Sequence, residues 1–229
     1  MSMLTVVRHG QARPFEKDSD RLSEIGELQA QALKQYWAQA GITFDEIWSG
    51  TLGRQQRTAA LAVDGPVEVS ADWNEYDTEG VKYKLIPALA ERDDRFRELV
   101  EAFQKEGSGP ERNRRFQKMF ELAMLTWLEG GVDLHGVEPW PAFQYRVRRG
   151  LRHIQEGPPN RRVVVFTSGG PIGLLVQTVL AAPDRSFLEV NWRVRNCSLT
   201  EFVFSRDRIS FDGFNAIPHL EDENLRTFR

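Results

Sequence analysis

Apolar residues along the chain change their period from one segment to the next. Met3-Leu4-Thr5-Val6-Val7 is a short β-branched run, the pattern of a buried strand. Over 24–40 the apolar residues Ile25, Leu28, Ala32, Leu33 and Trp37 recur at helical spacing, with Ser23 placed to cap and Gly41 to close the helix. Asp45-Glu46-Ile47-Trp48 predicts a second strand, 52–63 a helix capped by Thr51 or Ser49, and 66–69 a third short strand. A β-α-β-α-β series of this kind predicts a largely parallel sheet with helices on its faces.

The middle of the chain has a different pattern. Between 82 and 156 no segment has strand character, and 87–105, 110–129 and 141–155 each read as helices. Gly107-Ser108-Gly109-Pro110 and Gly130-Gly131 break them. Strand character returns at Arg162-Val163-Val164-Val165-Phe166-Thr167, followed by a helix over 171–181. The stretches 196–204 and 208–214 read as a final hairpin, and the polar tail 218–229 as a surface segment. The expected fold is α/β: a three-layer sandwich with a mostly parallel central sheet and helices on both faces. The sequence predicts one domain over 1–229, with 82–156 as a helical insertion over the carboxyl edge of the sheet.

Composition narrows the class. The chain has 229 residues, 41% apolar and 28% charged, ordinary for a globular protein of one large domain. A net charge of −3 gives no global basic field for nucleic acid or an anionic membrane, so neither is expected as a partner. Cys197 is the only cysteine, which excludes an intrachain disulfide and fits a reducing compartment. The N-terminal residues lack the pattern of a signal peptide, and no apolar run is long enough to cross a bilayer. A cytoplasmic enzyme is the default expectation. The segments near 196–214 could pair across a homodimer or form an edge hairpin in a monomer.

Candidate chemistry collects at predicted strand ends, where open α/β sheets bind ligands. Arg8 and His9 follow the first strand, and Gly10 lets the chain turn. A guanidinium beside an imidazole suggests an anion that is both held and attacked. Arg54 lies in the first turn of the second helix, where free N–H groups and the dipole attract anions. The alternative is that Arg54 and Arg57 are solvated helix residues. Glu75, within Trp73-Asn74-Glu75-Tyr76-Asp77, could protonate a leaving oxygen, or be a loop carboxylate. In Phe166-Thr167-Ser168-Gly169-Gly170-Pro171 a strand passes into a helix through small residues that could cradle a phosphate or simply form a tight turn.

Together these segments resemble the histidine phosphatase superfamily, the phosphoglycerate-mutase-like proteins. Arg8-His9-Gly10 resembles the family's signature at the end of its first strand. Leu22-Ser23-Glu24-Ile25-Gly26 with Gln29-Ala30 resembles its L-T-x-x-G-x-x-Q-A segment. Leu52, Arg54, Thr58 and Ala59 resemble its S-x-L-x-R-x-x-x-T-A motif, with Gly50 at the serine position. Gly169-Gly170 resembles its H-G-G segment, and the final hairpin, Asn215 and Pro218-His219-Leu220 are also similar. The resemblance spans most of the chain outside the helical insertion.

The resemblance implies a metal-independent phosphomonoesterase with no cofactor. His9 would be the nucleophile that becomes a phosphohistidine, and Glu75 the acid. Arg8 and Arg54, with Ser168, Gly169 and Gln11, would bind the phosphate of a small phosphorylated substrate. The chain also departs from the family pattern. Ser168 stands where the family has its second histidine, Ala12 replaces a small hydroxyl residue, and Phe15 sits where an asparagine often binds phosphate. His135, Arg112, Arg114 and Arg115 are candidates to compensate, and Trp73, Tyr76, Trp140 and Phe143 could line an aromatic pocket or belong to the core. The segment that mutase members carry after the first loop is missing. These departures leave open a catalytically degenerate, phospho-ligand-binding member, and a phosphoglycerate-type mutase stands third.

Overall fold

The computed structural model describes residues 1–13, 20–107, 109–130 and 136–228. They form two compact units, Met1–Glu75 with Tyr145–Arg229, and Tyr76–Gln144.

The first unit holds the sheet. Its strands are β1 (Ser2–Arg8), β2 (Glu46–Ser49), β3 (Glu68–Val69), β4 (Arg162–Thr167), β5 (Leu199–Phe204) and β6 (Ile209–Ala216), in the order β3-β2-β4-β1-β5-β6. The pairs β3–β2, β2–β4 and β4–β1 are parallel, whereas β5 joins β1 and β6 antiparallel. The fold is therefore α/β with a mostly parallel sheet. Register aligns the strand ends: Arg8 pairs with Thr167, and Val7 and Ser49 both pair with Phe166. The ladder runs one residue further, through His9 N–H to Thr167 O at 2.8 Å and Gly50 N–H to Phe166 O at 3.1 Å. The carboxyl ends of three strands thus finish side by side.

Alternation fixes the faces. Val7, Ile47, Val164, Phe166 and Leu199 point to one side, where they meet Ala30, Leu33 and Trp37 of α1 (Glu24–Gln39) and Ala59 and Ala62 of α2 (Gly53–Ala62). Leu4, Val6, Val163 and Val165, also fully buried, make the other side. There the apolar helix α8 (Gly169–Val179) packs against β1. Full burial of each such side chain contributes about 1.5–3 kcal/mol before entropy is counted. Ser23 caps α1 as expected, its Oγ accepting from Gly26 N–H at 3.1 Å. The expectation for α2 is corrected. Neither Thr51 nor Ser49 caps it; Asp20 does, as described below.

The second unit is helical. A nearly continuous helix comprises α3 (Thr78–Gly80), a π-turn over Val81–Leu85 and α4 (Ile86–Arg92). It is followed by α5 (Asp94–Lys105) and α6 (Pro110–Glu129), while α7 (Trp140–Glu156) begins here and ends in the first unit. The single helix read over 87–105 is two, because Asp93 is extended and its Oδ1 caps Arg95 N–H at 2.8 Å. Tyr76, Trp127, Trp140 and Phe143 form a cluster of rings with centroids 5.2–6.0 Å apart. All four are buried, so they are core rather than open pocket walls.

Other boundaries shift. The third strand is only Glu68–Val69, the helix after β4 starts at Gly169 rather than 171, and the hairpin starts at Leu199. A six-residue helix, α9 (Ser186–Asn191), was not expected. In the tail, His219 and Leu220 are buried rather than lying on the surface.

Candidate active site

His9 is the first residue past β1. Its backbone is held from both sides: its N–H donates to Thr167 O, and its carbonyl accepts from Cys197 N–H and Asn196 Nδ2, each at 3.3 Å. Gly10 follows for a reason other than the expected turn. A Cβ at Gly10 would stand 2.4 Å from Gly26 O, so the residue serves a close approach of two backbones. Gly10 N–H donates to Thr58 Oγ1 at 3.0 Å, and Thr58 Oγ1 donates to Arg54 O at 2.7 Å. The His9 loop is thereby tied to the helix that carries Arg54.

His9 is 6% exposed. Its Nδ1 lies 2.7 Å from Gly10 O, which can only accept, so this nitrogen carries the proton. Nε2 is left with its lone pair and receives Arg54 Nε–H at 3.1 Å. Burial, then the charges of Arg54 and Arg8, hold the imidazole pKa well below its ordinary value of 6.5. The ring is therefore neutral at physiological pH, with the lone pair on the nitrogen facing the guanidinium.

Arg54 is shared with a carboxylate. Asp20 Oδ1 accepts from Arg54 Nη1 at 2.6 Å, and Asp20 Oδ2 accepts from Gly53 N–H at 2.6 Å. The α2 N-terminus, expected to draw an external anion, is satisfied by the protein's own acid. Arg8 Nη1 donates to Phe228 O at 2.8 Å and to Val194 O, and the Phe228 ring lies under the guanidinium groups of Arg193 and Arg195. The chain's last described residue is thus part of the support for Arg8.

Glu75 Oε2 accepts from Gly170 N–H at 3.2 Å, which places the acid at the α8 N-terminus, three residues beyond the Thr167 carbonyl that holds His9. Arg146 Nη2 fixes the Glu75 carbonyl at 2.9 Å. Ser168 is completely buried, and its Oγ accepts from Gln55 Nε2 at 2.8 Å. Gly169 is buried beside it. Gln11 Oε1 accepts from Ser23 Oγ at 2.8 Å. His9, Arg8, Arg54, Glu75, Ser168 and Gly169 therefore all stand at or just beyond the strand ends of the first unit. In the second unit Arg112 donates to Glu106 O, Arg114 pairs with Glu111, and Arg115 with Glu106 and Glu111. Phe15 and His135 lie outside the described residues.

Two important residues were missed in the sequence. Asp20 acts on Arg54 from 34 positions away, and no local pattern marks that contact. Gln55 had a signal: it shares a face with Thr58, Ala59 and Ala62 at helical spacing, so a polar group was to be expected inside. Cys197 is buried, and burial pushes its thiol pKa up, so it stays protonated. Among the described residues no group of three or more His, Cys, Asp or Glu side chains could hold a metal ion, and no helix is long and apolar enough to cross a membrane.

Comparison with known proteins identifies the family and the shared fold. A family model of the histidine phosphatase superfamily (branch 1) matches residues 4–121 and 91–217. A protein of Erwinia tasmaniensis named "probable phosphoglycerate mutase GpmB" is 27% identical, the alignment covering 98% of both chains. Among solved structures, a phosphoserine phosphatase of Entamoeba histolytica superimposes with a TM-score of 0.66 at 19% identity, over 96% of this chain and all of that one. Bacillus stearothermophilus YhfR superimposes with a TM-score of 0.68 at 16% identity, with the same coverage. At these identities the solved structures establish the shared fold.

Proposed function

Because this chain belongs to the histidine phosphatase superfamily, we propose that it is a metal-independent phosphomonoesterase acting through a phosphohistidine at His9. The observation that carries the reading is the state of the His9 ring: neutral, protonated on Nδ1 by its contact with Gly10 O, and with the Nε2 lone pair against Arg54 Nε. An arriving phosphoryl group offers oxygens for which Arg54 exchanges that contact, releasing the lone pair to attack phosphorus. The Nε2–P bond forms as the bond to the alkoxide breaks. Glu75 gives the alkoxide its proton, then takes one from the water that displaces His9. Arg54 and Arg8 balance the charge on the phosphoryl oxygens throughout.

A second reading, a protein that binds a phosphorylated ligand without turnover, draws on two observations. Ser168 is sealed from solvent, and Asp20 already neutralises Arg54. Release of phosphate from an aryl phosphate in EDTA, across about pH 5–8, tests both. Activity in the wild type and none in His9→Ala is the result expected for the phosphatase. Stabilisation by phosphorylated compounds without cleavage would favour the binding protein. Transfer to an acceptor hydroxyl instead of water would move the chain to the class named for the Erwinia relative.

A further inference from the structure

Gln55 is fully buried, and its one carboxamide reaches three different segments. Oε1 accepts from Leu52 N–H at 3.4 Å, at the N-terminus of the helix that carries Arg54. Nε2 donates to Trp73 O at 3.1 Å, two residues before Glu75, and to Ser168 Oγ at 2.8 Å, two residues before the Gly170 amide that holds Glu75. Both Nε2 hydrogens are therefore used. Thr167 Oγ1 donates to the same Trp73 carbonyl.

Gly50 belongs to this arrangement. A Cβ there would stand 1.9 Å from Gln55 Oε1 and 2.8 Å from Asn74 Oδ1. Neither atom is free to yield, since Asn74 Oδ1 accepts from Thr51 N–H at 2.7 Å and the carboxamide is held at three points. Gly50 and Ser168, two of this chain's departures from the family pattern, are thus physically linked through one glutamine.

We propose that Gln55 is a positioning residue for this reaction, tying the Arg54 helix, the Glu75 segment and the Ser168 turn together so that the acid meets the leaving oxygen. The proposal rests on the phosphatase reading. It does not make Gln55 catalytic, because its hydrogen-bonding groups are consumed by the protein. Its loss should therefore fall on the acid step, which matters most when the leaving group is poor.

The test compares kcat/KM for nitrophenyl phosphate, whose nitrophenolate leaves without a proton, and 4-methylphenyl phosphate, which is similar in size and whose phenolate oxygen needs one. Gln55→Leu should keep the first within about 3-fold and lose the second by about 10-fold or more, a modest part of what general acids supply. Gln55→Glu gives an independent readout that does not require the leucine variant to fold. As a carboxylate it cannot donate to Trp73 O. On acidification it regains a donor, and 4-methylphenyl turnover should rise relative to nitrophenyl turnover. Equal loss on both esters, no loss on either, or a Gln55→Glu ratio independent of pH would overturn the proposal while leaving the phosphatase reading intact. Wild-type activity no greater than that of His9→Ala on both esters would instead overturn the reading, and the proposal with it.

Discussion

The two sides of the candidate site are built on opposite principles. On the β1 side, the neutral His9 ring sits against a charged Arg54: one guanidinium touches His9 Nε2 and a carboxylate at once. On the β4 side, Ser168 and Gln55 form a neutral pair with no exposed surface. Burial first, and then the charges of Arg54 and Arg8, lower the pKa of the imidazole, and Nε2 keeps its lone pair. The Ser168–Gln55 pair fixes backbone segments and supplies no charge. Binding charge and scaffold rigidity are thus divided between the two strand ends rather than shared by both.

That division sets the size of the expected effects. His9→Ala removes the proposed nucleophile and should lower kcat/KM by at least ~10³, measured as phosphate release. Residual turnover within ten-fold of wild type would erase the distinction between the two sides. Arg54→Gln removes one cation from the transition state and should cost about 10²-fold. It also removes one of the charges that depress the His9 pKa. Protonation of Nε2 destroys the nucleophile, so activity falls as pH drops through the His9 pKa. In the wild type this loss lies well below pH 6.5; in the variant it moves up towards 6.5. A limb that stays in place would show that Arg54 does not set the ring's charge state.

The neutral side gives a smaller, conditional effect. Ser168→His must place a ring where Gln55 Nε2 now meets a hydroxyl at 2.8 Å in space closed to solvent. Overpacking of this kind displaces neighbours at a cost of about 1–3 kcal/mol. Activity should fall by roughly ten-fold in the single variant and recover in part when Gln55→Ala makes room. A single variant more active than wild type would mean that the serine side is a weakened charged site and not a rebuilt neutral one.

The two sides also differ in how much of them the sequence disclosed. Arg8, His9 and Arg54 stand at the edges of strong local patterns, a β-branched strand and a helix start, so their place in the fold was legible. The parallel part of the sheet was legible too, because the apolar runs in β1, β2 and β4 carry it. What was hidden depends on long-range packing. Asp20, rather than the adjacent Thr51, caps α2, and Gln55 meets Ser168 across 113 positions. The break at Asp93 was missed because helical periodicity continues through it while one side chain caps the next helix. Gly10 was recognised as necessary, but for a turn rather than for the Gly26 backbone it must admit.

Asp20 gives the finest test of the charged side, because its two roles predict effects of opposite sign. As a cap, its carboxylate takes the Gly53 and Arg54 N–H groups at the positive end of α2. Asp20→Asn keeps an acceptor and loses the charge, so the protein should lose only about 0.5–1 kcal/mol of stability. As the partner of Arg54, with its side chain 39% exposed, the same carboxylate competes with an incoming dianion for the guanidinium. Removing a partly screened charge of this kind is worth roughly 1 kcal/mol, or about five-fold in affinity. The variant should therefore unfold at a lower temperature while inorganic phosphate inhibits it more tightly. If stability and phosphate affinity fall together, Asp20 is needed to orient Arg54, and the charged side depends on its geometry more than on its charge.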